Sequence, residues 1–222
     1  MRKFVMMLAV AAMTACAGGV QKKDVVATPV VEGAEIVLTQ PDLEAGATIN
    51  MALKSRCSSR DFSAEPLSLE ELSGVVWAAA GVNREDGHLT APSALALYPV
   101  KVYAFLEGGV YLYDAQAHKL VRVAEGDHRA LSARQEFANN APLNIAYIAD
   151  TKVYEGRNMP ADVVRFLCGQ DAAGYAENVN LYAAGNGLKA ITRGSAQSEE
   201  VLKVLNLCPE RYTLVLAQTV GK

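Results

Sequence analysis

The sequence predicts an α+β domain, on three observations. Short strand runs at 100–106, 110–113 and 119–123 follow one another through tight turns, Gly108-Gly109 and residues 114–118, and the first pair reads as a hairpin. Apolar-periodic helices lie on both sides of this run of strands. Strands and helices nowhere alternate in a strict βαβ rhythm, which argues against a doubly wound parallel sheet. At 222 residues, with 51% hydrophobic residues, the chain is long enough for one well-packed domain.

Taken in order, residues 48–56 read as a helix. Ser68-Leu69-Glu70-Glu71 is a capping box, and the helix it opens carries Leu72, Val75, Val76 and Ala79 on one face before stopping at Gly81. Trp77 belongs to the core or an interface. Residues 83–90 form a polar loop, followed by Ala91-Pro92-Ser93-Ala94 and the strands above. A helix is expected over 127–139 and a buried strand over 143–149. Residues 161–168 read as helical, Gly169-Gln170-Asp171 as a break, and 172–184 as a second helix. The small residues of that second helix, Ala173, Ala176, Ala183 and Ala184, allow close helix approach. Gly185 and Gly187 end it; a strand follows at 188–192, a helix capped by Ser198 runs to Leu205, and a last strand occupies 212–219. Tyr98, Tyr103, Tyr111 and Tyr113, at near-alternate spacing, fit strand core or a dimer surface better than a substrate box.

The N-terminus has the pattern of an export signal: Arg2 and Lys3, an apolar run from 4 to 13, then small residues. Residues 1–17 are therefore set apart from the fold. Met13-Thr14-Ala15-Cys16 is similar to a bacterial lipobox, which would make Cys16 a lipidated first residue and a membrane anchor; simple cleavage after Ala17 is the alternative. Residues 18–40 read as a linker or arm, and the folded domain is expected over 41–222. The expected location is the cell envelope, periplasmic or lipid-anchored. The net charge of −3, with no basic run, points away from nucleic acid. Cys57, Cys168 and Cys208 give neither a disulfide framework nor a zinc spacing; one pair could bridge in an oxidising compartment, and spacing does not choose it.

The stretch that suggests chemistry is Arg56-Cys57-Ser58-Ser59-Arg60-Asp61-Phe62. Two guanidiniums four residues apart, with hydroxyls between them, suit a phosphate. Taken alone, paired arginines on a turn fit a solvated face better than a phosphate site. No His-x-x-x-His spacing, Gly-x-Ser-x-Gly elbow, Walker loop or Gly-x-Gly-x-x-Gly fingerprint occurs, so a cofactor would carry the chemistry.

The order of several motifs resembles the nitroreductase-like FMN flavoproteins, and most of all their small branch similar to the azoline-forming dehydrogenases. Residues 56–62 resemble an Arg-x-Ser-x-Arg-x-Phe pattern. Residues 67–81, with Trp77-Ala78-Ala79-Ala80-Gly81, resemble the helix after it. Pro92-Ser93-Ala94, the hairpin at 109–113, Gln135 through Ala141-Pro142, Glu177-Asn178-Val179-Asn180-Leu181 with Gly187-Leu188, and Thr219-Val220-Gly221-Lys222 follow in the family's order. Ala96 stands where many relatives carry Asn, as in the dehydrogenase-like branch.

That resemblance implies a central, mostly antiparallel sheet flanked by helices, and an intertwined homodimer with FMN in each of two interface clefts. Arg56, Ser58 and Arg60 would hold the phosphate and ribityl chain, with Cys57 contributing backbone. Pro92, Ser93 and Ala94 would come from the other subunit to the flavin ring. Thr192, Arg193, Gly194 and Ser195 would lie along that ring, a backbone N–H near Gly194 or Ser195 facing N5. Lys222 would reach the phosphate, and Gln135 the pyrimidine edge or ribityl hydroxyls. The small-residue helix and the Leu72–Ala79 face are the expected dimer surfaces. The implied activity is an FMN-dependent oxidoreductase working in a ping-pong cycle on a small substrate, with NAD(P)H or a membrane-linked donor. The alternatives are a flavin-dependent dehydrogenase and a non-catalytic envelope protein that keeps the fold.

Overall fold

The computed structural model describes residues 35–222. The export-signal and lipobox readings, Cys16 included, and the tether up to Ala34 lie outside the described residues.

Among the described residues seven strands form one antiparallel sheet: β1 (Glu35–Val37), β2 (Val100–Leu106), β3 (Gly109–Asp114), β4 (Lys119–Glu125), β5 (Leu143–Asp150), β6 (Lys189–Arg193) and β7 (Tyr212–Gly221). Their spatial order is β1-β4-β3-β2-β5-β7-β6. β1 pairs with β4 through Ile36 and Leu120, so the sheet starts six residues before Pro41, where composition places the start of the domain. Gly109 closes the β2–β3 hairpin at φ 153°, and a Cβ there would stand 2.5 Å from the Ala124 carbonyl oxygen.

β5 is buried along its whole length. Its alternate side chains serve two faces, as a strand's period of two requires. Leu143, Ile145, Tyr147 and Ala149 join the larger core cluster, and Ala146 and Ile148 the smaller one. The larger cluster is covered by helices α2 (Leu69–Ala80) and α3 (Ala161–Gly185), with the short α1 (Ile49–Ser55) on α3; the smaller one is covered by α4 (Ser198–Val204). The Ser68 capping box is formed: Ser68 Oγ accepts from Glu71 N (3.1 Å), and Glu71 Oε2 accepts from Ser68 N (2.7 Å). α2 and α3 approach closely at Gly74, where any Cβ would overlap the Tyr182 hydroxyl.

Four local expectations are corrected. Residues 127–139 form two 3-10 turns, Arg129–Ser132 and Glu136–Ala138, not a helix. The carbonyls that the middle of such a helix would use are taken from outside it: Ala130's by Gln197 Nε2 (3.1 Å), Leu131's by Gln197 N (3.1 Å) and Ser132's by Arg193 Nη1 (2.7 Å). Residues 161–185 form one 25-residue helix with no break at Gly169-Gln170-Asp171. Burial of Cys168, Ala172, Tyr175, Ala176 and Val179 outweighs the roughly 1 kcal/mol helix cost of Gly169. Ser198 is the first residue of α4 rather than its cap; Gln197 stands at the cap position without a side-chain capping bond, and Glu199 and Glu200 favour the helix N-terminus. Finally, the two surfaces expected to meet a second subunit meet each other: Leu72, Val75, Val76, Ala79, Ala172, Ala176 and Ala183 are all buried within the chain.

Candidate functional site

The Arg56–Asp61 stretch leaves α1 and zips onto the edge strand β6. Ser58 forms a parallel bridge with Ala190, Ser59 N donates to the Ala190 carbonyl (3.1 Å), and Lys189 Nζ donates to the Asp61 carbonyl (2.9 Å). Phe62 then stacks on Phe137, ring centroids 6.1 Å apart, and packs under Gly221, while Ser63 N donates to the Lys222 carbonyl (2.9 Å). Tertiary structure thus gathers residues 56–62, the end of β6 with Gly194 and Ser195, Gln135 and the C-terminus. Gln135 Nε2 donates to Ser195 Oγ (2.7 Å).

The charges are unequal in their freedom. Arg60 is exposed and, among the described residues, is held by no ion pair. Arg56 is half-exposed with Nε 3.8 Å from Glu177 Oε1. Cys57 and Ser58 are exposed beside them. Lys222 is committed to carboxylates, donating to Glu65 Oε1 (2.7 Å) with Glu71 Oε2 at 3.4 Å; the Glu65 hydrogen bond raises its pKa. Of the basic residues named from the sequence it is the least suited to an anion in this arrangement.

Arg193 is a partial correction. Its position beside Gly194 and Ser195 is as expected, but its guanidinium is buried and points into the domain. Nε donates to Thr219 Oγ1 (3.1 Å), Nη1 to the carbonyls of Ser132 (2.7 Å) and Ser195 (3.3 Å), and Nη2 to Asn144 Oδ1 (3.1 Å). Burial without a carboxylate partner pushes its pKa down to about 10. Only its backbone is free to line a cleft. Gly194 is exposed, and a Cβ there would meet nothing within 4 Å, so open space adjoins this turn. Gln135 Oε1 is buried and has no hydrogen-bond partner among the described residues.

Pro92, Ser93 and Ala94 are held elsewhere. Ser93 Oγ donates to Asp171 Oδ2 (2.6 Å) and Ala94 N to Asp171 Oδ1 (3.2 Å). On α3, Asp171 and the Arg56 partner Glu177 lie about 9 Å apart along the axis and about 120° apart around it. In one chain the turn and the arginine segment therefore sit on different sides of the helix. Sequence reasoning missed Asp171, Glu177, Asn144 and Thr219. Asn144 carried a signal, a polar residue inside an otherwise apolar strand run; Asp171 was masked by its place in an apparent helix break. The three cysteines are free, Cys57 and Cys208 exposed and Cys168 buried.

The fold and site define an α+β protein with an anion-suited edge segment beside an open backbone turn. Comparison with known proteins places it further. The family model for the nitroreductase family matches residues 53–222. A nitroreductase-family protein of Methanocaldococcus jannaschii is 33% identical over 190 residues, covering 79% of this chain and 91% of its own. The crystal structure of a nitroreductase-family protein of Ralstonia eutropha superposes with TM-score 0.79 at 34% identity, over 85% of this chain and 89% of that one. Another, from Desulfovibrio desulfuricans in complex with FMN, superposes with TM-score 0.56 at 21% identity, over 78% of this chain and 84% of that one. The chain belongs to the nitroreductase family, a family of oxidoreductases.

Proposed function

We propose that this chain is an exported, FMN-dependent oxidoreductase that works as a homodimer. The observation that supports this most is the Arg56–Arg60 segment bonded along β6, with Arg60 unbridged and open space over Gly194. The residues fit FMN on the chemistry they offer. Arg56, Arg60 and the Ser58 hydroxyl suit a phosphate. The unpartnered Gln135 Oε1 suits an N–H of a pyrimidine edge. Lys222 would have to exchange its carboxylates to take part. A relative's structure holds FMN, which agrees with this reading.

Bound FMN would supply the two-electron chemistry at N5. The chain's own residues do the rest. Arg56, Ser58 and Arg60 would bind and orient the cofactor, the Gly194–Ser195 backbone would offer an N–H to the flavin ring, and Pro92–Ala94 of the partner subunit would cover the ring and exclude water. With one open cleft beside Gly194, a donor and a small substrate would enter in turn, a ping-pong order. Dimer formation is supported by apolar side chains that are exposed among the described residues: Ile49 (61% exposed), Met51 (53%) and Leu53 (55%) on α1, and Phe166 (64%) on α3. Export is supported by the basic, apolar, small-residue order of residues 2–19, and lipid on Cys16 would anchor the protein to the envelope membrane. Among the described residues no helix is long and apolar enough to cross a membrane.

The test is purification of the mature protein, an absorbance spectrum, and light scattering. A yellow dimer that releases FMN on denaturation is the expected result; a colourless protein that takes up no added FMN overturns the reading. Stopped-flow reduction with NADH, NADPH and dithionite then identifies the donor class, and mass analysis of the N-terminus shows whether Cys16 carries lipid.

A further inference from the structure

We propose that Asp171 is a positioning residue for the flavin cleft: its buried carboxylate clamps the 93–98 loop of one subunit in the shape that this loop presents to the partner subunit's flavin. The second half of that statement rests on the FMN-dimer reading above; the first half rests on the loop itself.

Three of the six loop residues are non-glycine residues in the left-handed region, Leu95 (φ 56°), Ala96 (φ 51°) and Tyr98 (φ 48°). That conformation is costly for any L-residue with a side chain, and it persists only where the surroundings enforce it. Packing of the loop tip does not enforce it, because Leu95 is 61% exposed and Ala96 is exposed. The ends of the loop are fixed by backbone bonds, Thr90 N to the Gly81 carbonyl and Asp150 N to the Pro99 carbonyl. Inside the loop two backbone bonds, Ala96 N to the Ser93 carbonyl (2.9 Å) and Leu97 N to the Ala94 carbonyl (3.2 Å), form a 3-10 turn, Leu97 packs against the core, and one side-chain chain of bonds ties the turn to α3. Asp171 Oδ2 accepts from Ser93 Oγ (2.6 Å), Asp171 Oδ1 accepts from Ala94 N (3.2 Å), and Ser93 Oγ in turn accepts from Tyr98 N (2.8 Å). One carboxylate thereby ties both ends of a strained six-residue loop to α3.

Packing alone does not call for a charge at position 171. Asp171 is 4% exposed among Cys168, Ala172 and Tyr175, and among the described residues no Lys or Arg is paired with it. A buried carboxylate without a cation is expensive, and an apolar residue or Asn would spare that cost. What a carboxylate adds is two separate acceptor oxygens, one for the Ser93 hydroxyl and one for the Ala94 amide. The result of the expense is a rigid apolar tip of Pro92, Leu95 and Ala96 held out from the chain, a shape suited to lie against a flat ring in a second subunit.

The experiment uses the full mature protein and two variants that break the clamp from opposite sides, Asp171→Asn and Ser93→Ala. Hydrogen exchange of the flavin-free protein reports on the clamp, and FMN titration by fluorescence reports on the cleft. Expected are faster exchange at the Ala94 and Tyr98 amides, unchanged exchange along α3, and an FMN Kd raised roughly tenfold or more in both variants. A purely structural role would instead lower protection throughout α3. Loss of loop protection with unchanged FMN affinity overturns the positioning role, as does unchanged protection in both variants. Should Asp171→Asn fail to fold, Ser93→Ala decides by the same two readouts. Failure of the flavin reading looks different, because the wild-type protein itself then binds no FMN, and the positioning role falls with it.

Discussion

Arg193 offers a test in which two large effects nearly cancel. Its guanidinium is buried, carries no carboxylate partner and donates to four acceptors. The drop in its pKa from 12.5 to about 10 corresponds to about 3 kcal/mol against the charged form. In Arg193→Met that cost disappears. Against it stand the bonds lost. The Ser132 carbonyl, on a buried residue, loses a charged donor, which costs about 1–3 kcal/mol. The Ser195 carbonyl belongs to a half-buried residue and can rehydrate. Asn144 Oδ1 and Thr219 Oγ1 keep their mutual 2.6 Å bond and lose about 1 kcal/mol each. The losses come to about 3–5 kcal/mol, so the Met variant should be less stable by no more than about 2 kcal/mol, a Tm shift of roughly 4–8 °C. Arg193→Lys keeps a charge to desolvate and cannot reach all four acceptors with a single ammonium, so it should be less stable than Arg193→Met. Equilibrium urea unfolding at one fixed protomer concentration measures both, with the m-value checked for constancy. A Met variant destabilised by more than about 4 kcal/mol, or a Lys variant more stable than the Met variant, refutes this balance.

Arg56→Ala and Arg60→Ala should each weaken FMN binding by about 1.5–3 kcal/mol, through loss of a charge-assisted contact; full flavin content in both purified variants would show that this pair does not hold the phosphate. Ser195→Pro deletes the N–H proposed to face N5 and should lower turnover by about 2.7–4 kcal/mol of barrier. Ser195→Ala shares the loss of the Gln135 contact, so the difference between the two variants isolates the N–H; equal rates in both would misplace the turn. Stability should also fall in acid through Asp150. Burial pushes that carboxyl up, but the Arg211 fork (Nε–Oδ1 2.8 Å, Nη2–Oδ2 2.5 Å) outweighs burial and holds its pKa below the usual value. The folded pKa is the lower one, so this stabilisation is present above about pH 4 and fades as pH falls further. Arg211→Ala should lessen the loss of stability between about pH 4 and pH 2; an unchanged slope would assign acid sensitivity to other carboxylates.

The legible parts of this protein are those governed by neighbours in sequence. The capping box at Ser68, the hairpin at Gly108-Gly109, the alternating strands at 100–106 and 110–113 and the apolar run at 143–149 sit where period and turn chemistry put them. The family was legible in a set of pieces, Arg56 to Arg60, Pro92 to Ala94, Gln135 and Arg193 to Ser195, because their residue types and order carry the resemblance, and these pieces make up the proposed site. How the pieces are held was not legible. Gly169-Gln170-Asp171 has the local chemistry of a helix stop, yet the burial of Cys168, Ala172 and Tyr175 carries α3 straight through it. Gln197 and Arg193 turn a helical pattern at 127–139 into two 3-10 turns by donating to the Ala130, Leu131 and Ser132 carbonyls that a helix would use.

The sequence by itself determined the α+β class, most strand positions and the anion-suited stretch, since backbone propensity, capping and charge act within a few residues. Only the tertiary structure decided that Ser93 answers to Asp171, 78 positions away, that Arg193 is spent inside the domain on Asn144 and Thr219, and that the Arg56 segment lies along β6. Each of these joins residues far apart in sequence: the buried Arg193 guanidinium must find acceptors, and the half-buried Ser93 hydroxyl and the edge amide of Ser59 find the partners that the packing of the whole chain brings to them.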